Sequence, residues 1–171
     1  MTPLTIRPAE PEDASQMADL INDLIRLGNN TAHRTLFDGQ RMLAHYIAPP
    51  DSIACHVAEN NDQILGFQAL EWSDPNWSGP DARPKGWAMI ATFVARDAHK
   101  RGIGSKLFTA TLEAARSAHA SAIDATIRAD NLGGLRYYAK MGFNQDGLHR
   151  AVPLSDGTPV DRVRTSLHLL F

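Results

Sequence analysis

Residues 94–107 read Val-Ala-Arg-Asp-Ala-His-Lys-Arg-Gly-Ile-Gly-Ser-Lys-Leu, and the fold is decided there. Ile90, Ala91, Phe93 and Val94 suit a buried strand, and Asp97 to Arg101 then turn the chain. From Gly104 the spacing becomes helical, with Ile103, Leu107, Ala110 and Ala114 on one face. Gly102 and Gly104 let a ligand approach the backbone, because neither carries a Cβ. The first amides of a helix lack partners, and the helix dipole adds partial positive charge to them. Together with Lys100, Arg101 and Lys106 they read as a cradle for a pyrophosphate. The plainer alternative is a strand-to-helix turn with solvated basic residues. A P-loop is excluded, because four residues and then Gly-Lys-Ser/Thr do not follow a glycine. A dinucleotide fingerprint is excluded too, because Leu107 stands where its third glycine belongs.

The rest of the composition narrows the class. With 171 residues and 43% apolar content, the chain can fill one core, and it is read as one domain over residues 1–171. A net charge of −2 gives no field for nucleic acid. No apolar run approaches the ~18 residues of a membrane span. Residues 1–10 show no signal-peptide pattern, so a soluble cytoplasmic protein is expected. Cys55 is the single cysteine, which excludes an internal disulfide and suggests a small buried residue. The seven histidines show no paired ligand spacing, and no metal is expected. His33, His45, His56 and His119 are read as surface or core residues.

Along the chain, Leu4 to Arg7 is a strand, and Pro8 to Asp13 open a helix over Ala14 to Leu27. Gly28-Asn29-Asn30 ends it and reads first as a helix stop before a solvated loop, although Asn29 to Arg34 would suit a loop over a substrate. Asp38 can cap a second helix running to Ala48, where Pro49-Pro50 must stop it. Ile53 to Glu59 and Gln63 to Trp72 are strands joined at Asn60-Asn61-Asp62. Ser73 to Gly86 is a long loop, and long loops in compact domains are often functional. Trp87 to Val94 is a strand, Gly104 to His119 a helix, and Ala122 to Ile127 a strand. Asn131 caps a helix over Leu132 to Lys140. Phe143 to Leu148 and Val163 to Leu170 are the last strands, the final one alternating in polarity.

His99-Lys100-Arg101-Gly102-Ile103-Gly104 resembles the acetyl-CoA-binding motif Arg/Gln-x-x-Gly-x-Gly/Ala of the GNAT N-acetyltransferase superfamily, with His99 in place of the first Arg or Gln. Asn131 to Phe143, Asn-Leu-Gly-Gly-Leu-Arg-Tyr-Tyr-Ala-Lys-Met-Gly-Phe, is similar to a second motif of that family, in register with the first. The resemblance implies an α/β (α+β) GNAT fold: a mixed, mostly antiparallel sheet of about seven strands flanked by four helices. It implies acetyl-CoA as co-substrate and no metal. Thr92, Phe93 and Val94 would offer backbone groups to the pantetheine arm. Lys100, Arg101, Gly102, Ile103, Gly104 and Ser105 would bind the pyrophosphate. Asn131 would hydrogen-bond the cofactor, beside its role as a helix cap. Tyr138 stands where the family places a tyrosine near the CoA sulfur, and a phenol there can protonate the departing thiolate.

The branch that the chain looks most like is the phosphinothricin acetyltransferase-like one, which acetylates small amino-acid-like amines. The opening Ile-Arg-Pro-Ala-Glu-Pro-Glu-Asp-Ala and Gly157-x-x-x-Asp161 carry that likeness, while Ser155 departs from the lysine often found there. The expected partner is a small-molecule amine, with a homodimer common in the family.

An alkyl ammonium with a pKa of ~10.4 must lose a proton before it can attack. Family members often hold a carboxylate on the strand before the glycine turn, and Trp87 to Thr92 has none. Glu71, at the end of the third strand, is the first candidate base, followed by His149 and Asp161. A protein or peptide N-terminal acetyltransferase, and a non-catalytic acyl-CoA-binding sensor, are the alternatives.

Overall fold

The computed structural model describes residues 2–170. Seven strands form one sheet: β1 (Thr5–Pro8), β2 (Ser52–Asn60), β3 (Gln63–Trp72), β4 (Trp87–Val94), β5 (Ala122–Arg128), β6 (Asn144–Pro153) and β7 (Pro159–His168). Their order across the sheet is β1-β2-β3-β4-β5-β7-β6. Every neighbouring pair is antiparallel except β4 and β5. The helices are α1 (Ala14–Leu27), α2 (Gly39–Met42), α3 (Ile103–Ser117) and α4 (Leu132–Lys140). The GNAT architecture expected from the motifs is the one observed.

Local chemistry explains most boundaries. Gly28 closes α1 at φ +93°. Asn61 and Asp62, both at positive φ, make the two-residue β2–β3 turn. The Asp38 carboxylate accepts the Arg41 amide at 2.7 Å and caps α2.

Three boundaries differ from the sequence reading by more than two residues. The second helix does not run as a regular α-helix to Ala48. After Met42 it widens into a π-turn over Leu43–Ile47, closed by the Ala48 amide on the Leu43 carbonyl at 2.8 Å. That turn delivers Tyr46 into the core. β6 runs on to Pro153, beyond the expected end at Leu148, and β7 starts at Pro159 rather than Val163. Register shifts at Gln145/Gly147 and His149/Val152 break the alternation that marks a strand, and β6 is an exposed edge with no apolar face to read.

Apolar clusters pack on both faces of the sheet. Phe67, Ala69 and Phe93 pack with Met17, Ile21, Met42 and Tyr46 on the α1–α2 face. Leu70, Ala88 and Ile123 pack with Phe108, Ala115 and Tyr138 on the α3–α4 face. Successive side chains of a strand point to opposite faces, so Gln68 and Thr92 belong with Tyr138, and Glu71 with Phe67 and Ala69.

Candidate active site

The only parallel pair in the sheet opens the site. β4 and β5 pair from Trp87 opposite Ala122 to Met89 opposite Asp124, and no further. Beyond that point β4 stays on β3 up to Val94, and β5 stays on β7 up to Arg128. The strands splay, and a cleft of about 710 Å³ lies at the mouth of the splay.

Thr92, Phe93, Val94, Lys100, Gly102, Ile103, Gly104, Ser105, Asn131 and Tyr138 all line this cleft. Arg101 and Glu71, from the same set of sequence candidates, are not among its lining residues. Arg101 stands in the same turn, exposed to solvent. His99 lines the cleft, and its Nε2 lies 3.2 Å from the Val94 carbonyl oxygen. Leu24, Asn29 and Asn30 add a roof from the end of α1 and the turn after it, and of the stretch Asn29 to Arg34 only these two asparagines line the cleft.

The turn into α3 is held open. Gly102 caps α3 at φ +73°, and no side chain takes the first amides of the helix. Lys100 also sits at φ +65°, a conformation that costs energy outside glycine and gathers at functional turns. A Cβ on Gly104 would come within 2.7 Å of the Tyr137 ring, so only glycine fits between α3 and α4 here.

Behind the cleft runs a hydrogen-bonded chain. The hydroxyls of Tyr138 and Thr92 lie 2.8 Å apart. Gln68 Nε2 donates to Thr92 Oγ1 at 2.8 Å and to the Tyr137 hydroxyl at 2.9 Å. Tyr137 in turn donates to the Gly104 carbonyl at 2.8 Å. Burial raises both phenols, Tyr137 to about 12, and Tyr138 is further raised by Asp124 and Tyr137 while Thr92 opposes the shift. Both tyrosines therefore keep their protons at neutral pH.

The residues of the Asn131 motif are also accounted for. Asn131 Oδ1 accepts the Gly134 amide at 3.0 Å, as a helix cap should. Its Nδ2 donates to the Asn30 carbonyl at 3.3 Å, tying α4 to the roof. Arg128, buried at the end of β5, reinforces the tie by donating to the carbonyls of Gly28 and Thr31 at 2.9 and 3.1 Å.

The acetyltransferase (GNAT) family profile matches residues 18–143. This chain belongs to the acetyltransferase (GNAT) family. It is an acyltransferase that acts with acetyl-CoA. No curated protein matches the sequence significantly. A solved protein provisionally classed as a phosphinothricin N-acetyltransferase superposes with TM-score 0.79 at 21% identity, over 99% of this chain and 100% of the other. A ribosomal-protein-alanine N-acetyltransferase of Brucella melitensis gives 0.77 at 21%, over 96% and 99%. An acetyltransferase of Salmonella typhimurium, solved with its cofactor acetyl-CoA, gives 0.76 at 19%, over 98% and 94%. At such identities the likeness is one of fold.

The other face of this acetyltransferase is built from side chains. Glu71 is half-buried, and burial together with Asp51 raises its carboxyl above the usual range. Its charge is felt by the buried phenol of Tyr46. Tyr46 lies with His33, Phe37 and His45 in an aromatic box against Phe67 and Phe93. His33 Nε2 and the Tyr46 hydroxyl are 2.6 Å apart, and burial lowers His33 to about 4, so the ring is neutral at pH 7. The sequence reading assigned these histidines no common place. Nothing in their spacing foretold that the π-turn would bring His45 and Tyr46 onto His33.

The loop at 73–86 is pinned along β5, β7 and β6. Arg83 donates to Asp124 at 2.7 Å and to both oxygens of Asp146 at 2.9 and 3.1 Å. Arg162 donates to Asp81 at 3.1 Å, and Arg164 to the Ala82 carbonyl at 3.2 Å. His149, a candidate base, lies 3.7 Å from Asp81 in this network. Asp161, the other candidate, accepts the Ala151 amide at 2.8 Å and props the bulge of β6. Neither lines the cleft. Among the described residues no helix is long and apolar enough to cross a membrane.

Proposed function

We propose that this acetyltransferase moves an acetyl group from acetyl-CoA to the primary amine of a small, amino-acid-like molecule, by direct attack in a ternary complex. The observation that carries the reading is the phenol of Tyr138. It lies at the end of a buried hydrogen-bonded chain, lines the cleft at the splay of β4 and β5, and is protonated at neutral pH.

The cleft fits acetyl-CoA on its own geometry. The uncapped amides at the start of α3, with Lys100 and Arg101 in the turn before it, suit a pyrophosphate. The separation of β4 from β5 leaves the Thr92–Val94 edge able to pair with an amide-bearing arm. Acetyl-CoA supplies the activated acyl group as a thioester. The amine nitrogen forms a bond to the acyl carbon while the C–S bond breaks. Tyr138 then gives its proton to the departing sulfur, and a base takes one from the amine nitrogen. Glu71 is the base in this reading, because burial and Asp51 raise its carboxyl and so make it a better proton acceptor than a free glutamate.

A small substrate is favoured by the loop at 73–86, which Arg83 and Asp81 hold against the sheet. The same substrate class stands in the name of one structural neighbour. A homodimer along the exposed edge strand β6, in the cytoplasm where acetyl-CoA is made available, completes the proposal.

Release of CoA from acetyl-CoA, measured against amino acids, phosphinothricin, methionine sulfoximine, polyamines and short peptides, tests it. Turnover of an amino-acid-like amine is the expected result, with kcat falling about a hundredfold or more in Tyr138→Phe while acetyl-CoA still binds. Turnover of peptides alone would overturn the small-amine reading. Binding of acetyl-CoA with no turnover of any amine would favour a sensor.

A further inference from the structure

Proton counting along the buried chain singles out a residue that no motif points to. The Gly104 carbonyl can only accept, and the one proton of Tyr137 is committed to it at 2.8 Å. The Tyr137 oxygen must therefore accept from Gln68, which fixes the amide with Nε2 toward both hydroxyls. An amide turned the other way would ask Tyr137 to donate twice with one proton. Thr92 Oγ1 thus accepts from Gln68, which takes one of its two acceptor positions and leaves its own proton able to go to the Tyr138 oxygen 2.8 Å away. Gln68 is completely buried, so no bulk water competes for these positions, and among the described residues its Oε1 has no partner. That unpartnered oxygen is the cost of placing both amide protons on hydroxyls.

We infer that Gln68 is a positioning residue for the Tyr138 phenol, acting through the hydroxyl of Thr92. The inference rests on the reading of Tyr138 as the acid. With Thr92 donating to its oxygen, Tyr138 keeps its own O–H free to point at the leaving sulfur. As the C–S bond breaks, that proton forms the S–H bond, and the phenolate oxygen left behind already accepts from Thr92. Without Gln68, the Thr92 hydroxyl can turn and accept from Tyr138, which draws the acidic proton away from the sulfur.

A double-mutant cycle tests this, with kcat measured on the best amine of the panel and the acetyl-CoA dissociation constant measured separately. Gln68→Met should lower kcat about tenfold, the worth of one hydrogen bond to a developing charge, with the dissociation constant within about twofold. In a Tyr138→Phe background the same change should cost nothing more, because its only route of action is gone. Loss of similar size in both backgrounds, or full kcat in Gln68→Met, overturns the inference and leaves Tyr138 as the acid. Full kcat in Tyr138→Phe alone overturns the acid reading and this inference with it. Thr92→Val, which keeps every backbone group of β4, carries the same cycle if Gln68→Met does not fold, and Thr92→Ser should restore the rate.

Discussion

On the α3–α4 side of the splay, the groups offered to a ligand are mostly backbone: the free amides after Gly102 and the strand edge at Thr92–Val94. On the side covered by the loop at 73–86, the work falls to side chains that meet from far apart in sequence. Arg83 with Asp124 and Asp146, and Arg162 with Asp81, join residues 41 to 81 positions apart. A backbone site needs particular residues at fixed spacing, chiefly glycine, and so leaves a motif. A side-chain network needs only that the fold bring charges together, and leaves none. The two sides should accordingly fail in different ways when single residues are changed.

The largest effect should come from Arg83. Its side chain and that of Asp124 are each only 6% exposed. Arg83→Met strands Asp124 in the interior, with a loss of about 3–5 kcal/mol of stability. Chemical denaturation is the check, and the companion Arg83→Met/Asp124→Asn should recover part of the loss, because no uncompensated charge remains. Acetyl-CoA binding by the folded fraction should be unaltered. If binding collapses with the loop, the two sides are one unit.

The same contrast explains what could be foreseen. The glycine turn and the Asn131 cap follow from local spacing, whereas the eleven cofactor positions were implied by the motifs' resemblance to the family, and ten of them line the cleft. Six of the seven strands carry a polarity or composition signal, whereas β6 is exposed along most of its length and twice bulged, so its true extent was hidden. The aromatic box was illegible for another reason. His33 and Tyr46 are 13 residues apart and meet across a π-turn over Leu43–Ile47, whose Tyr46 packs on Phe67 and Phe93, residues distant in sequence.

Glu71→Gln asks whether the side-chain face holds the base. Turnover should fall about a hundredfold. A base must be deprotonated, and this carboxyl is held above its ordinary range, so kcat/KM of the wild type should decline on the acid side at a pH above the ~4.3 of a free glutamate. Glutamine abolishes that limb. Stability should move the opposite way. The folded state holds the Glu71 proton more tightly than the unfolded state, so the carboxylate costs stability as pH rises through its titration, and at pH 7.5 the glutamine variant should melt higher. Unchanged turnover with an unchanged acid limb would remove Glu71 and shift attention to the neutral imidazole of His33 beside Tyr46.

Gly104→Ala tests the backbone side. The added methyl would meet the Tyr137 ring at 2.7 Å and must push it from the Gly104 carbonyl. Overpacking of this kind costs about 1–3 kcal/mol of folding stability, and the displacement of the turn that carries the helix amides should separately weaken acetyl-CoA binding, by about tenfold. Calorimetric titration reads it directly. Binding at wild-type strength would mean that α4 can shift without disturbing the turn.

Asn131 should give the smallest effect, and it separates two roles that the motif alone cannot. Its oxygen is a cap for Gly134 and its nitrogen a tie to Asn30. Asn131→Ala removes both, at about 1 kcal/mol for the cap. Asn131→Asp keeps a good cap and loses the tie, so its stability should stay near wild type. If Asn131 only shapes the roof, acetyl-CoA affinity should follow the tie and fall by a similar, small factor in both variants. If the side chain also touches the cofactor, the aspartate should be the worse of the two, because it sets a negative charge beside a phosphate-rich ligand. The ratio of the two affinities therefore decides whether this residue belongs with the backbone cradle or with the side-chain clasps that hold the roof closed.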